Sequence, residues 1–255
     1  MTAFGVVLAL IVGVVLGLLG GGGSLLAVPI FLYVFHVPPK SAIAMSLVVV
    51  GMSAFIGFLT HLRQRTCTVR LALTFGSLAM VGAFAGARIA RFVPARAQLS
   101  MFVAFALTAA ALMLRDSLRT PVLASGQTTT EPAPHFSPLL GVLAVGVGVL
   151  TAVIGAGGGF LIVPALVLVA DVPVRFAVGS SLLIIAMNAT SAVAGYVGQV
   201  SFDWRLVGWF TAIAAVGAVI GTRLMRRLPA ARIKQAFAIM ILVLGTFVVI
   251  RSLMQ

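Results

Sequence analysis

The sequence predicts an all-α, polytopic membrane protein built from two homologous repeats, and three observations predict it. Hydrophobic residues make up 62% of the 255-residue chain and charged residues only 8%, with a mean hydropathy of +1.23. A water-soluble domain carries roughly 25% charged residues. The apolar runs are long enough to cross a hydrocarbon core of roughly 30 Å as helices of about 20 residues, and they lack the two-residue alternation of an outer-membrane barrel. Finally, an offset of 135 residues aligns the halves from about residue 5 to 115 without a gap. Gly13 meets Gly148, Gly20 meets Gly155, Pro29 meets Pro164, Ser46 meets Ser181, and Gly82, Gly86, Arg88 and Pro94 meet Gly217, Gly221, Arg223 and Pro229. Chance periodicity in an apolar sequence does not keep glycine, arginine and proline in step.

Each repeat contains five apolar segments, at about 3–19, 24–36, 41–61, 71–92 and 97–114 in the first and at the same offset in the second. The first two are separated by Leu19-Gly20-Gly21-Gly22-Gly23-Ser24, and in the second half by Ile154-Gly155-Ala156-Gly157-Gly158-Gly159. The segment after each glycine run is about 13 residues, or roughly 20 Å at 1.5 Å per residue, too short to cross unaided. Segments one and two therefore read as a helical hairpin or re-entrant pair. Residues 1–115 form the first membrane repeat, 116–137 a linker and 138–255 the second repeat; the linker holds the polar, proline-bearing run Ser125 to Pro134.

The parity of crossings sets how the repeats are related. A returning hairpin inverts the second half and divides the basic residues 11 to 6 between the two sides, whereas a single crossing gives parallel repeats and 10 to 7. Arg63, Arg65 and Arg70 are matched by Arg205 alone, while Arg88, Arg91 and Arg96 correspond to Arg223, Arg226, Arg227, Arg232 and Lys234. Charge that migrates between equivalent loops is what the positive-inside rule produces in an inverted second half. Both arrangements put the termini on the less basic, periplasmic side.

The net charge of +13 comes from Lys and Arg that mostly flank apolar segments, which suits the lipid bilayer and its anionic head groups rather than nucleic acid. A single cysteine, Cys67, excludes an internal disulfide and a thiolate metal cluster. The start of the chain has no basic n-region, so no cleaved signal peptide is read there. The acids Asp116, Glu131, Asp171 and Asp203 all lie at segment ends or in loops. Proton relays and cation sites in membranes rely on buried carboxylates, so a cation carrier is disfavoured. No metal, cofactor or catalytic set is expected, and no GxxxxGK[ST] loop for ATP is present.

The glycine runs offer chemistry suited to an anion. A helix beginning near Ser24 or Phe160 aims unpaired N–H groups and a partial positive charge at the break. Glycine lets a ligand approach the backbone, and Ser24 can cap the helix. Candidate substrate-binding residues are therefore Gly20, Gly21, Gly22, Gly23 and Ser24, with Gly155, Gly157, Gly158 and Gly159. Close helix packing is the competing reading of the same glycines. In the third segment Ser46, Ser53 and Thr60 share a helix face, matched by Ser181, Asn188 and Gly195 with Ser180 alongside. Ser46, Ser180, Ser181 and Asn188 join the candidate site, while Ser53 and Thr60 read as interhelical hydrogen-bonders. His61, Lys40 and Arg175 are candidates for gating or proton coupling, set against plain interfacial anchoring. Gly82/Gly86 and Gly217/Gly221 read as packing pairs.

The paired runs Leu-Gly-Gly-Gly-Gly-Ser…Val-Pro and Ile-Gly-Ala-Gly-Gly-Gly…Val-Pro, with Ala44-Met45-Ser46-Leu47 and Val178-Gly179-Ser180-Ser181-Leu182, resemble the sulfite exporter TauE/SafE family, also called the toluene sulfonate uptake permeases. The resemblance covers nearly the whole chain except the linker. It implies a bacterial inner-membrane permease for sulfite or organosulfonates, with some members linked to other small organic anions. Family members often end the third segment of both halves in His, whereas here the second ends in Tyr196. The expected function is a secondary transporter of a small sulfur oxyanion by alternating access, with a transporter or channel for another small anion such as a carboxylate as the alternative. The sequence carries no signature of oligomeric state.

Overall fold

The computed structural model describes residues 3–19, 23–104, 138–155, 159–168 and 172–225. Every described element is helical. In order they are α1 (Ala3–Leu19), α2 (Ser24–Pro29), α3 (Pro39–Arg63), α4 (Val69–Ile89), α5 (95–104), α6 (Pro138–Ile154), α7 (Gly159–Leu168), α8 (Val174–Tyr196) and α9 (Trp204–Met225). α3, α4, α8 and α9 are long and apolar enough to cross a membrane, while α1 and α6 at 17 residues reach about 26 Å. Phe4, Val81, Phe84, Ile89, Phe92, Val142 and Val216 stand exposed, as side chains facing acyl tails do.

Helix starts at residues 3, 24, 39 and 69 recur at 138, 159, 174 and 204. The corners recur as well. Val37 N–H donates to Phe31 O and Val172 N–H to Leu166 O, both at 3.0 Å. Pro38 and Pro173 cap α3 and α8 with nearly the same extended backbone (φ −53, ψ 142 and φ −54, ψ 138). A residue before proline is driven out of the helical region, so Val-Pro makes a corner in each half. In α2, Pro29 lacks the N–H of a regular turn, and the helix continues from it as a π-wound segment over Ile30–Val34.

Helices pack across the two halves. α1 lies against α9 in the same direction, with Gly13 at the carbonyl of Ala214 and Gly17 at that of Ala218. α6 lies against α4 likewise, with Gly82 at the carbonyl of Val145 and Gly86 at that of Val149, while Gly148 sits at the carbonyl of Ala79. A side chain at any of these glycines would overlap a backbone carbonyl, so only glycine permits the approach. α3 and α8 form the centre and run antiparallel, since Gly51 abuts Ala189 while Gly57, later in α3, abuts Leu182, earlier in α8. α4 runs parallel to α8: Gly76 meets Met187, Ser191 Oγ donates to Met80 O at 2.7 Å, and Gly195 meets Ala87.

Candidate functional site

The second break forms because α6 stops at Gly155. Its N–H closes the last turn on Thr151 O at 2.9 Å, and its φ of +76° turns the chain out of the helix. A β-carbon there would also stand 2.5 Å from Ile43 Cγ2, so both conformation and space require glycine. The carbonyl of Gly155 accepts a hydrogen bond from Ser46 Oγ at 2.9 Å, a hydroxyl that also faces Ile43 O at 2.7 Å. Ser46 thus belongs to α3 of the first half and holds the end of α6 in the second.

One turn earlier on α6, Thr151 Oγ1 donates to Gly148 O at 2.9 Å and accepts from Nδ2 of Asn188 on α8. Asn188 is 1% exposed, and its Oδ1 has no hydrogen-bond partner. At the equivalent position in α3, Ser53 is fully buried and its Oγ also has none. The assignment of Ser53 as an interhelical hydrogen-bonder is therefore corrected.

At the first break, Gly23 is the N-cap of α2 with helical backbone and no side-chain cap. Ser24 is accordingly the first helical residue and fully buried, which corrects its expected capping role. A β-carbon on Gly23 would overlap Val12 O and crowd Leu16, so α2 folds back on α1. The flanks of both breaks meet in one apolar cluster. Leu25 and Val28 of α2, Ile43 and Leu47 of α3, and Val153 and Ile154 of α6 pack together, with Leu19 and Leu161 against them. The described ends of the breaks are thus bordered mainly by hydrocarbon, and the polar groups among them are Ser24, Ser46, Thr151 and Asn188.

The other sequence candidates disperse. Gly159 begins α7 and is buried, whereas Gly20, Gly21, Gly22, Gly157 and Gly158 lie outside the described residues, as do the whole linker 116–137 and the side chain of Arg175. Ser181 Oγ donates to Val178 O at 2.8 Å, the counterpart of the Ser46 contact with Ile43. Ser180 turns elsewhere: its Oγ accepts the Thr68 N–H at 2.8 Å and ties the α3–α4 loop to α8. His61, buried at the end of α3, places Nδ1 2.7 Å from Thr66 Oγ1 in that loop. Its counterpart Tyr196 donates its hydroxyl to Ala152 O at 2.9 Å. Lys40 Nζ donates to Arg91 O at 3.0 Å, beyond the C-terminal end of α4, where a cation suits the helix dipole. Thr151 was not anticipated, although a threonine one turn before a glycine break was visible in the sequence.

Comparisons with known proteins identify the family. The family model for the sulfite exporter TauE/SafE matches residues 5–248. The chain belongs to the sulfite exporter TauE/SafE family. Among its relatives, a "Probable membrane transporter protein" of Xylella fastidiosa (strain 9a5c) is 32% identical over 245 residues, covering 95% of this chain and 92% of that one. "Probable membrane transporter protein YdhB" of Bacillus subtilis (strain 168) is 24% identical over 226 residues, covering 89% and 91%. YunE of the same strain, also named a probable membrane transporter protein, is 26% identical over 257 residues, covering 94% of each. No solved structure matches. This TauE/SafE protein is therefore a multi-pass membrane protein whose relatives are named as transporters rather than enzymes.

Proposed function

We propose that this TauE/SafE protein is a secondary transporter of a small sulfur-containing oxyanion, sulfite or an organosulfonate, working by alternating access between two inverted repeats, 1–115 and 138–255. The observation that carries the reading is the hydrogen bond from Ser46, in one half, to the carbonyl at the helix break of the other. A contact of that kind couples movement between the halves to the geometry of the break. The equal spacing of the helix starts supports the repeat. Inversion is supported by the antiparallel crossing of α3 with α8 and the parallel pairs α1/α9 and α4/α6. With α1, α3 and α9 pointing one way, Arg63, Arg65, Arg70 and Arg223 gather on one side, opposite Lys40, Arg88, Arg91 and Arg205. Arg96 lies with the latter group, so the named residues favour neither side; it is the whole-sequence division of 11 to 6 for inverted repeats that favours the Arg63 side as cytoplasmic and the chain ends as periplasmic in a bacterial inner membrane.

The anion lodges at the glycine breaks, where main-chain amides and the start of α7 complement negative charge. Flux into proteoliposomes tests this with sulfite, sulfonates, thiosulfate and small carboxylates as competing solutes. Saturable uptake of a sulfur oxyanion, accelerated by the same anion on the far side, is expected. Saturable uptake of carboxylates alone would move the substrate class. Flux that neither saturates nor shows counterflow would make the protein a channel, and no anion flux at all would overturn the reading.

A further inference from the structure

Two of the unpaired buried oxygens among the described residues stand at the offset of the repeat: Ser53 Oγ on α3 and Asn188 Oδ1 on α8. Ser53 follows Gly51 by two positions, and Asn188 immediately precedes Ala189, the residue that Gly51 abuts. Both therefore flank the crossing of the two central helices, and Gly51 lies midway along α3. Polar groups at such depth are costly and ordinarily paired.

The chemistry of Asn188 fixes which atom is left over. Thr151 Oγ1 donates to Gly148 O and accepts from Asn188 Nδ2, which leaves Oδ1 as the unpaired atom of the amide. The remaining atom, Oδ1, is purely an acceptor. It lies beside Thr151, one turn from the left-handed Gly155 that opens the second break. A bare anion cannot satisfy a carbonyl oxygen, whereas an anion with its own O–H or N–H can.

We propose that Asn188 is a specificity-determining residue whose Oδ1 accepts a hydrogen bond from the transported solute, so that the solute is an anion carrying its own hydrogen-bond donor. This rests on the anion-transport reading above and adds the donor requirement to it. The serine at the matching position of the first half carries a hydroxyl that can donate as well as accept, so the group that can only accept belongs to the second half.

The test compares uptake by the full-length protein in proteoliposomes of 2-hydroxyethanesulfonate against ethanesulfonate, and of glycolate against acetate. Within each pair the charged group is the same and one hydroxyl differs. Wild type should favour the hydroxylated member by roughly five- to a hundredfold in initial rate at low concentration, the size of leaving a buried polar group unpaired. Asn188→Leu and the smaller Asn188→Ala should bring that ratio to about one while the unhydroxylated anion is still carried. Equal wild-type rates within a pair, or a preference that survives in either variant, would overturn the donor requirement and leave anion transport standing. Uptake of no member of either pair would overturn the donor requirement, and sulfite flux in the same vesicles would then decide the anion-transport reading separately.

Discussion

Three alanine substitutions along α6 separate the roles that the structure gives to its glycines. Gly146 has nothing within 4 Å of a built β-carbon, so Gly146→Ala should gain up to about 1 kcal/mol from helix propensity. At Gly148 a β-carbon would overlap the carbonyl of Ala79; forcing α4 and α6 apart costs about 1–3 kcal/mol, as overpacking does. At Gly155 two terms add: about 1–2 kcal/mol for an L-residue in the left-handed region and about 1–3 kcal/mol for the clash with Ile43 Cγ2. Gly155→Ala should therefore cost about 2–5 kcal/mol, or a drop of about 5–15 °C in apparent melting temperature for a chain of this size. Thermal unfolding of each detergent-solubilised variant at matched scan rate is the assay, because unfolding of such proteins is often irreversible. The order should be Gly146→Ala at or above wild type, then Gly148→Ala, then Gly155→Ala. If Gly155→Ala melted within about 2 °C of Gly146→Ala, the left-handed turn and its contact with α3 would both be wrong.

The remaining predictions address the contacts between halves. Ser46→Ala should leave the buried Gly155 carbonyl without its donor, costing about 1–3 kcal/mol and cutting flux further than the loss of folded protein explains; unchanged flux per folded molecule would detach Ser46 from the transport cycle. Gly82→Leu and Gly217→Leu should each abolish monodisperse protein in size-exclusion chromatography, because they press on equivalent carbonyls, those of Val145 and Leu10; a well-behaved Gly82→Leu protein would refute the parallel α4/α6 contact. In a Cys67→Ala background, Gly126→Cys should react only with reagents reaching the cytoplasm, and periplasmic labelling would show that the repeats are parallel rather than inverted.

The sequence made the periodic parts of this molecule legible because helix starts and corners are local. Val37-Pro38 and Val172-Pro173 each force an extended residue before a helix, and the offset carried those signals from one half to the other. The glycine pairs were legible as packing residues, but their partners were not. That Gly13 meets Ala214 and Gly148 meets Ala79 depends on each first helix crossing to the other half, which leaves no mark on local composition. Helix direction likewise emerged only from the register of contacts between α3 and α8, while the basic residues had leaned one way by a small margin.

The site itself was half legible, for a chemical reason. A glycine run in an apolar sequence announces free backbone groups without saying which ones are free, and the expectation was N–H groups at helix starts. At Gly155 the exposed group is the carbonyl at a helix end, and Ser46 already engages it. The unsatisfied chemistry lies one turn away, on Asn188 and Ser53, where a seven-residue spacing from Ser181 and Ser46 marked the face but could not distinguish paired from unpaired oxygens. Ser53 and Asn188 differ between matched neighbours, Met52/Met187 and Ala54/Ala189, and Leu16 and Thr151 differ as well. In the alternating-access cycle proposed above, two equivalent halves supply a symmetric frame. Under the same proposal, recognition of one solute falls to a side chain that differs between the halves, and Asn188, beside the crossing of the two central helices, is that side chain.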